Sequence, residues 1–241
     1  MEEEKLPITD HIEELRWRLI KCVIAVGVGF VATYAFKERI FEFLVAPLAR
    51  VLPENSHLIY TSLPEAFITY LKVAFFSGLV LSAPVIFYQL WKFIMPGLYE
   101  NERRYVLPFM IVATLFFVTG VSFAYYVVFP YGFQFFLGFQ TDSIAAMPAM
   151  KEYLGFVMKL MLAFGITFEL PVIMFFLAKM GIVGPQVLKK NRKYAILIVF
   201  VVAAILTPPD VISQTLLAIP LLILYEVSIW VTHFVRKKKE A

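Results

Sequence analysis

The chain has 241 residues, of which 61% are hydrophobic and only 17% charged, and its formal net charge is +4. Ordinary soluble domains carry roughly half apolar and a quarter charged residues; this composition describes a polytopic membrane protein, and so small a positive balance needs no nucleic acid to explain it. The single cysteine, Cys22, excludes an internal disulfide and reads as a small buried hydrophobe within an apolar run.

Lipid admits only helices and closed barrels, and apolar runs that do not alternate exclude the barrel. The fold class is therefore an all-α bundle, read as one polytopic domain over residues 1–241. The opening stretch MEEEKLPITDHIEELRWR is acidic and polar and has no pattern of a cleavable signal. Its second half predicts a short amphipathic helix, with Asp10 as cap and Ile12, Leu15 and Leu19 on one face. Runs of spanning length follow at Leu19 to Phe36, Ala66 to Phe93, Tyr105 to Phe129, Tyr153 to Ala178, Tyr194 to Thr207 and Val211 to Val235. That makes six spans. The fifth covers only about 21 Å of a hydrocarbon layer about 30 Å thick, so it must thin the bilayer or hide its ends against neighbours.

Basic residues set the orientation. Sixteen lysines and arginines fall on the side of the two termini and four on the other (Lys37, Arg39, Arg50 and Lys151). Both termini are therefore expected in the cytoplasm. The first outer loop, residues 37–65, predicts a short interfacial helix broken at Pro47; the second, residues 130–152, carries few charges. The third is the tight turn TPPD, where Pro208 and Pro209 stop one helix and Asp210 with Ser213 caps the next. Prolines at 84, 108, 130, 171 and 220 lie in or at the ends of spans, each interior one deleting a backbone donor and predicting a curved bundle.

Three polar groups stand out. Glu14 and Arg18, four residues apart, either pair with each other as a solvated face or present a carboxylate to a cationic ligand at the membrane surface. In the inner segment WKFIMPGLYENERRY, Trp91 and Phe93 end the second span, and Glu100 and Glu102 precede Arg103 and Arg104. Two carboxylates on neighbouring inner segments suit a guanidinium, which bonds such groups in bidentate fashion. Within the bilayer Glu169 sits in the oily run AFGITFELPV, joined at other depths by Gln89, Thr207, Asp210, Gln214 and Glu226. A carboxylate there costs roughly 2.5–3.5 kcal/mol or more on insertion, so a compensating partner is expected, either inside the bundle or on another helix. No HExxH, GxSxG, Walker loop or cysteine pair occurs, and His11, His57 and His233 are far apart, so neither catalysis nor a metal or other cofactor is expected.

The segments HIEELRWRL, APL, PGLYENERR, FAYYVVFP, FGITFELPV and TPPDVISQTLLAIP occur in this order. Together they resemble the TatC family, the multispanning core subunits of the twin-arginine protein translocase, from the first helix through the sixth span. The resemblance implies a tilted, cupped six-helix bundle with short fifth and sixth helices in the cytoplasmic (inner) membrane of a prokaryote. It implies a receptor, not an enzyme, that binds the paired arginines of signal peptides on folded precursors. Such a receptor assembles in several copies with single-span TatA- and TatB-type subunits, and export is driven by the proton-motive force. Carried over by position, Glu14, Arg16, Phe93 and Glu102 match signal-recognition residues, and Pro47 matches an outer-loop proline needed for function. Glu169 matches the intramembrane glutamate, and Thr207, Asp210 and Gln214 lie where partner helices make contact. Trp17 departs from the basic residue that many relatives have after the arginine. Two rivals remain open on the residues alone: a proton-coupled secondary transporter using Glu169, against which no repeat symmetry is visible, and a membrane assembly scaffold without ligand recognition.

Overall fold

In a computed structural model the described residues are 8–53, 58–94, 106–140, 146–207 and 210–240. Deprived of water, an apolar backbone must satisfy its own donors and acceptors, and among the described residues all regular structure is helical apart from one isolated parallel bridge between Ile59 and Ala149. The helices are α1 (Ile8–Tyr34), α2 (Lys37–Ala49), α3 (Glu65–Ile94), α4 (Val106–Phe123), α5 (Phe129–Leu137), α6 (Met150–Phe168), α7 (Leu170–Lys179), α8 (Pro185–Lys190), α9 (Arg192–Leu206) and α10 (Val211–Glu240). A π-helical turn, Ala124–Val128, joins α4 to α5.

Four stretches are long and apolar enough to cross a membrane: Glu65–Ile94, Leu107–Leu137, Met150–Lys179 and Val211–Val235. α1 and α2 meet that test together, bent by 85° between them. α9, with 15 residues, is the short fifth helix the run length predicted. The sixth is not short: α10 has 30 residues, because its helix continues past the apolar part into the basic C-terminal stretch.

Three local expectations change. The amphipathic N-terminal helix and the first span are one helix, α1, which begins before Asp10; that residue lies in the first turn and does not cap it. α2 runs through Pro47 and ends two residues later, since a proline near a helix end deletes only one internal bond. The third span does not stop at Phe129: the π turn and α5 carry it on to Leu137, shortening the second outer loop.

The chain divides into two compact units. The first comprises Met1–Phe41 and Tyr70–Leu115. There α1 and α3 cross at two glycines. A Cβ on Gly29 would stand 2.6 Å from the Gly78 carbonyl oxygen, and one on Gly78 would stand 2.5 Å from the Phe30 nitrogen. In lipid, where no hydrophobic force joins helices, such close approach and side-chain hydrogen bonds take its place. Ser82 donates to the Ala25 carbonyl at 2.8 Å and Thr33 to the Ala74 carbonyl at 2.7 Å, one bond on each side of the crossing.

The second unit comprises Glu42–Thr69 and Phe116–Ala241. α10 packs on α7 and α9, and the interior is aromatic, with Phe129 and Phe164 almost fully enclosed. α7 ends on Gly181, whose φ of 79° is the left-handed conformation that helix C-termini recruit glycine for. The stretch leading into α3 is clipped to the start of α6: Ile59 N–H donates to the Pro148 carbonyl at 3.2 Å and Met150 N–H to the Ile59 carbonyl at 2.8 Å. Buried Glu65 completes the clip by accepting from the Thr61 amide (2.8 Å), the Thr61 hydroxyl (3.1 Å), the Ser62 amide (3.3 Å) and the Lys151 amide (3.2 Å). One carboxylate thus ties the turn before α3 to the first turn of α6.

Candidate functional site

Helical periodicity puts His11, Glu14 and Arg18 on one face of α1, and the end of α3 supplies Gln89 and Phe93. Arg18 donates through Nε to Glu14 Oε1 at 3.0 Å and also through Nη2 to the same oxygen, while its Nη1 reaches Gln89 Oε1 at 3.4 Å. His11 Nδ1 lies 4.0 Å from Glu14 Oε2. The His11 ring stacks on Phe93 with centroids 4.4 Å apart and planes 16° apart. Arg18 is the more enclosed partner, its side chain 12% exposed against 29% for Glu14. The pairing reading of Glu14 and Arg18 is therefore the arrangement adopted, and Glu14 is already a guanidinium acceptor with an open flank. Arg16 is exposed.

Beneath the cluster runs an apolar groove of about 630 Å³ between α1 and α3, with Leu15, Leu19 and Cys22 on one wall and Leu79, Ile86 and Leu90 on the other. Its polar end is Arg18 and Gln89. Chemically, a carboxylate mouth above an apolar trough suits a ligand with a guanidinium followed by an apolar run.

Of the recognition residues expected from sequence, the structure brings Glu14 and Phe93 together through His11, and Glu102 lies outside the described residues. Gln89, expected among the intramembrane polar groups, belongs to the first unit and bonds Arg18. The remaining intramembrane residues belong to the second unit. Glu169 joins α6 to α7, is 6% exposed, and has its Oε1 buried without a hydrogen-bond partner among the described residues. Pro171 stands in the first turn of α7, two residues after it, where a missing donor costs the helix nothing.

Thr207, Asp210 and Gln214 gather where α9 passes to α10, with Pro208 and Pro209 outside the described residues. Thr207 donates to the Ala203 carbonyl at 2.8 Å, and Gln214 Nε2 to the Phe200 carbonyl at 2.9 Å. Asp210 caps α10 as its spacing predicted, accepting from the Ser213 amide at 2.7 Å and from the Ser213 hydroxyl. The Ser213 hydroxyl and then its amide hold the Asp210 carboxyl below the usual carboxylate range. Glu226 forms an exposed pair with Arg192 at 2.6 Å. Pro47 is buried in the last turn of α2. Sequence reasoning missed His11, dismissed for want of a histidine partner although it sits three residues before Glu14, and Glu65, whose role depends on a contact 86 residues away.

Comparison with known proteins adds independent findings. The family model described as Sec-independent protein translocase protein (TatC) matches residues 10–220. The Sec-independent protein translocase protein TatC of Desulforapulum autotrophicum is 58% identical over 240 residues, covering 100% of this chain and 89% of the relative. The protein of that name from Escherichia coli K12 is 44% identical over 232 residues, covering 96% and 90%. A crystal structure of the twin arginine translocase receptor TatC superposes with a TM-score of 0.86 at 40% identity, covering 94% of this chain and 99% of the other.

Proposed function

This chain belongs to the TatC family of Sec-independent protein translocase proteins, multi-pass membrane receptors and not enzymes, and from that premise we propose that Glu14 and its surroundings form the dock for a twin-arginine signal peptide. One observation carries the reading. Glu14 holds a guanidinium in the resting chain, so an incoming arginine takes over a bond that already exists in shape and charge, with Arg18 turning further toward Gln89. Phe93, fixed against His11, walls the dock. The apolar groove between α1 and α3 takes the oily segment of the peptide. Glu102 supplies the second carboxylate, and exposed Arg16 repels basic peptides that lack the bidentate fit.

With both termini in the cytoplasm, as the basic residues require, this dock faces the compartment in which precursors fold. Single-span TatA- and TatB-type subunits then associate with the second unit, where Glu169 offers an unsatisfied carboxyl oxygen to a polar group on a partner helix. Several copies of the chain, with those subunits, export folded proteins at the expense of the proton-motive force.

The test is photocrosslinking of a twin-arginine signal peptide to membranes containing the full chain. E14Q combined with E102Q abolishes the crosslink while membrane insertion is unchanged. A twin-lysine peptide crosslinks less than the twin-arginine one, because a point charge cannot reproduce the fork. Equal crosslinking to wild type and double variant removes the carboxylates from the dock.

A further inference from the structure

Two buried tyrosines in the second unit direct their hydroxyls at backbone, not at side chains. Tyr125 donates to the Phe43 carbonyl at 2.6 Å, and Tyr153 donates to the Leu44 carbonyl at 2.8 Å. Both acceptors lie in α2. In an uninterrupted helix the carbonyl of residue 43 accepts from the amide of residue 47; here residue 47 is proline, which has no amide hydrogen and whose ring crowds the carbonyl four residues earlier. The Phe43 acceptor is thus left open by covalent structure, in a place where a buried unpaired carbonyl is costly. Tyr125 answers it, and its ring stacks on that of Phe43 at 4.3 Å with planes 6° apart. The Leu48 amide faces the Tyr153 hydroxyl, so this one oxygen meets a donor as well as an acceptor of the last turns of α2.

A second proline brings Tyr125 to its position. Pro130 offers no amide, and the Phe129 amide reaches back five residues to the Ala124 carbonyl, making the π turn Ala124–Val128 in which Tyr125 sits. Tyr153, by contrast, stands in the first turn of α6, the helix whose outer end Glu65 also caps. About 16 residues on, or roughly 24 Å at 1.5 Å per residue, that helix ends at Glu169.

We propose that Tyr125, reading the Phe43 carbonyl opened by Pro47, and Tyr153, holding the neighbouring Leu44 carbonyl, are positioning residues that lock α2 to the π turn and to α6 so that the helix bearing Glu169 is held in one place during export. The inference rests on the receptor reading for what is exported, and not for the lock itself.

The experiment is a double-mutant cycle in the complete translocase. Y125F, P47A and the pair P47A/Y125F are compared for thermal unfolding of the purified chain, for signal-peptide crosslinking and for export rate. Y125F keeps the ring and loses one buried donor, so the unfolding temperature and the export rate both fall, while crosslinking is unchanged. P47A restores an amide at position 47 to serve Phe43 within the helix, so adding Y125F to P47A changes neither unfolding nor export. 4-Aminophenylalanine at position 125, which keeps a donor at the ring tip, recovers export. Equal losses from Y125F in the wild-type and P47A backgrounds, or no recovery with the amino analogue, overturn the lock and leave ring packing. If P47A does not assemble, the analogue arm decides alone. Loss of crosslinking in the wild type would instead strike the receptor reading, since the unfolding cycle reads the lock without it.

Discussion

Replacing Gly29 by alanine tests whether the crossing of α1 and α3 sets the geometry of the dock. The new Cβ would meet the Gly78 carbonyl oxygen at 2.6 Å and Ser82 Oγ at 2.7 Å, where ordinary contact begins at 3.4 Å, so the helices must part by about 0.8 Å. Neither obstacle is the far end of a flexible chain. Overpacking of this kind costs about 1–3 kcal/mol. Parting by that distance also stretches the Ser82 and Thr33 bonds beyond hydrogen-bond length, and interhelical bonds in lipid average about 0.6 kcal/mol each. Alanine returns up to about 1 kcal/mol of helix propensity relative to glycine. The net expectation for G29A is a loss of about 1–3 kcal/mol. G27A, two residues away with nothing within 4 Å of its Cβ, gains the propensity alone and is neutral or slightly stabilised. Thermal unfolding in detergent measures both. Arg18 lies 11 residues from Gly29, about 16 Å along α1, so G29A also loosens the Arg18–Gln89 and His11–Phe93 contacts and weakens signal-peptide crosslinking. If G29A and G27A behave alike in both assays, the glycine crossing does not position the dock.

Glu65 is expected to be intolerant of neutral substitution: E65Q, which keeps the size and loses the charge on four hydrogen bonds, lowers the unfolding temperature and opens the segment around Thr61 to proteases, whereas equal protease resistance would deny it the clip. For Asp210 the folded carboxyl is held low by Ser213, so its cap contributes above the ordinary carboxylate range and is lost as pH falls through the folded value. The stability difference between wild type and D210A should therefore shrink on going from neutral to acid pH, and a difference that grows would contradict the cap. Glu169 has one carboxyl oxygen without a hydrogen-bond partner among the described residues, so E169A weakens copurification of a TatA-type subunit by roughly 3- to 30-fold, the equivalent of about 0.6–2 kcal/mol. Signal-peptide crosslinking is unaffected. Undiminished copurification would assign Glu169 to the bundle interior alone.

Spans were legible because hydropathy over some twenty residues is a strong, local signal: among the described residues four of the six apolar runs reappear as stretches of spanning length, three of them within a few residues and the third in chain order extended by eight, to Leu137. The cap at Asp210 and the pairing of Glu14 with Arg18 were legible for the same reason, each resting on a spacing of three or four residues. Proline misled at Phe129: the apolar run goes on past Pro130 through Phe133, Phe135, Phe136 and Leu137, and a helix can absorb such a proline by widening one turn. Glu65 was beyond reach of any local rule. It reads as a first-turn carboxylate of α3, and only the folded chain brings the Lys151 amide to it. His11 could have been found by asking what shares the face of Glu14, a question the search for histidine pairs did not ask.

The prolines also show that a deleted backbone donor has no fixed consequence. Pro84 and Pro220 lie inside helices of 30 residues and interrupt neither. Just before Pro130 the Phe129 amide bonds the Ala124 carbonyl, five residues back, in a π turn; Pro171 sits in the first turn of α7, two residues after Glu169; Pro47 leaves a carbonyl that a tyrosine from another element takes up. What differs is the set of groups within reach. A carbonyl freed on a lipid-facing surface can only be repaired within its own helix, whereas one freed against a packed neighbour can select a side chain, and so joins two elements at a defined point. By that reasoning a proline in this membrane protein is structurally specific in proportion to the burial of the carbonyl four residues before it and the donors around it. Pro47 meets that condition with a phenolic donor at 2.6 Å. An alanine scan of the five prolines 47, 84, 130, 171 and 220 should therefore place P47A, which gives the Phe43 carbonyl a donor of its own helix, and P130A, which alters the turn carrying Tyr125, closer to each other in their effect on export than either is to P84A.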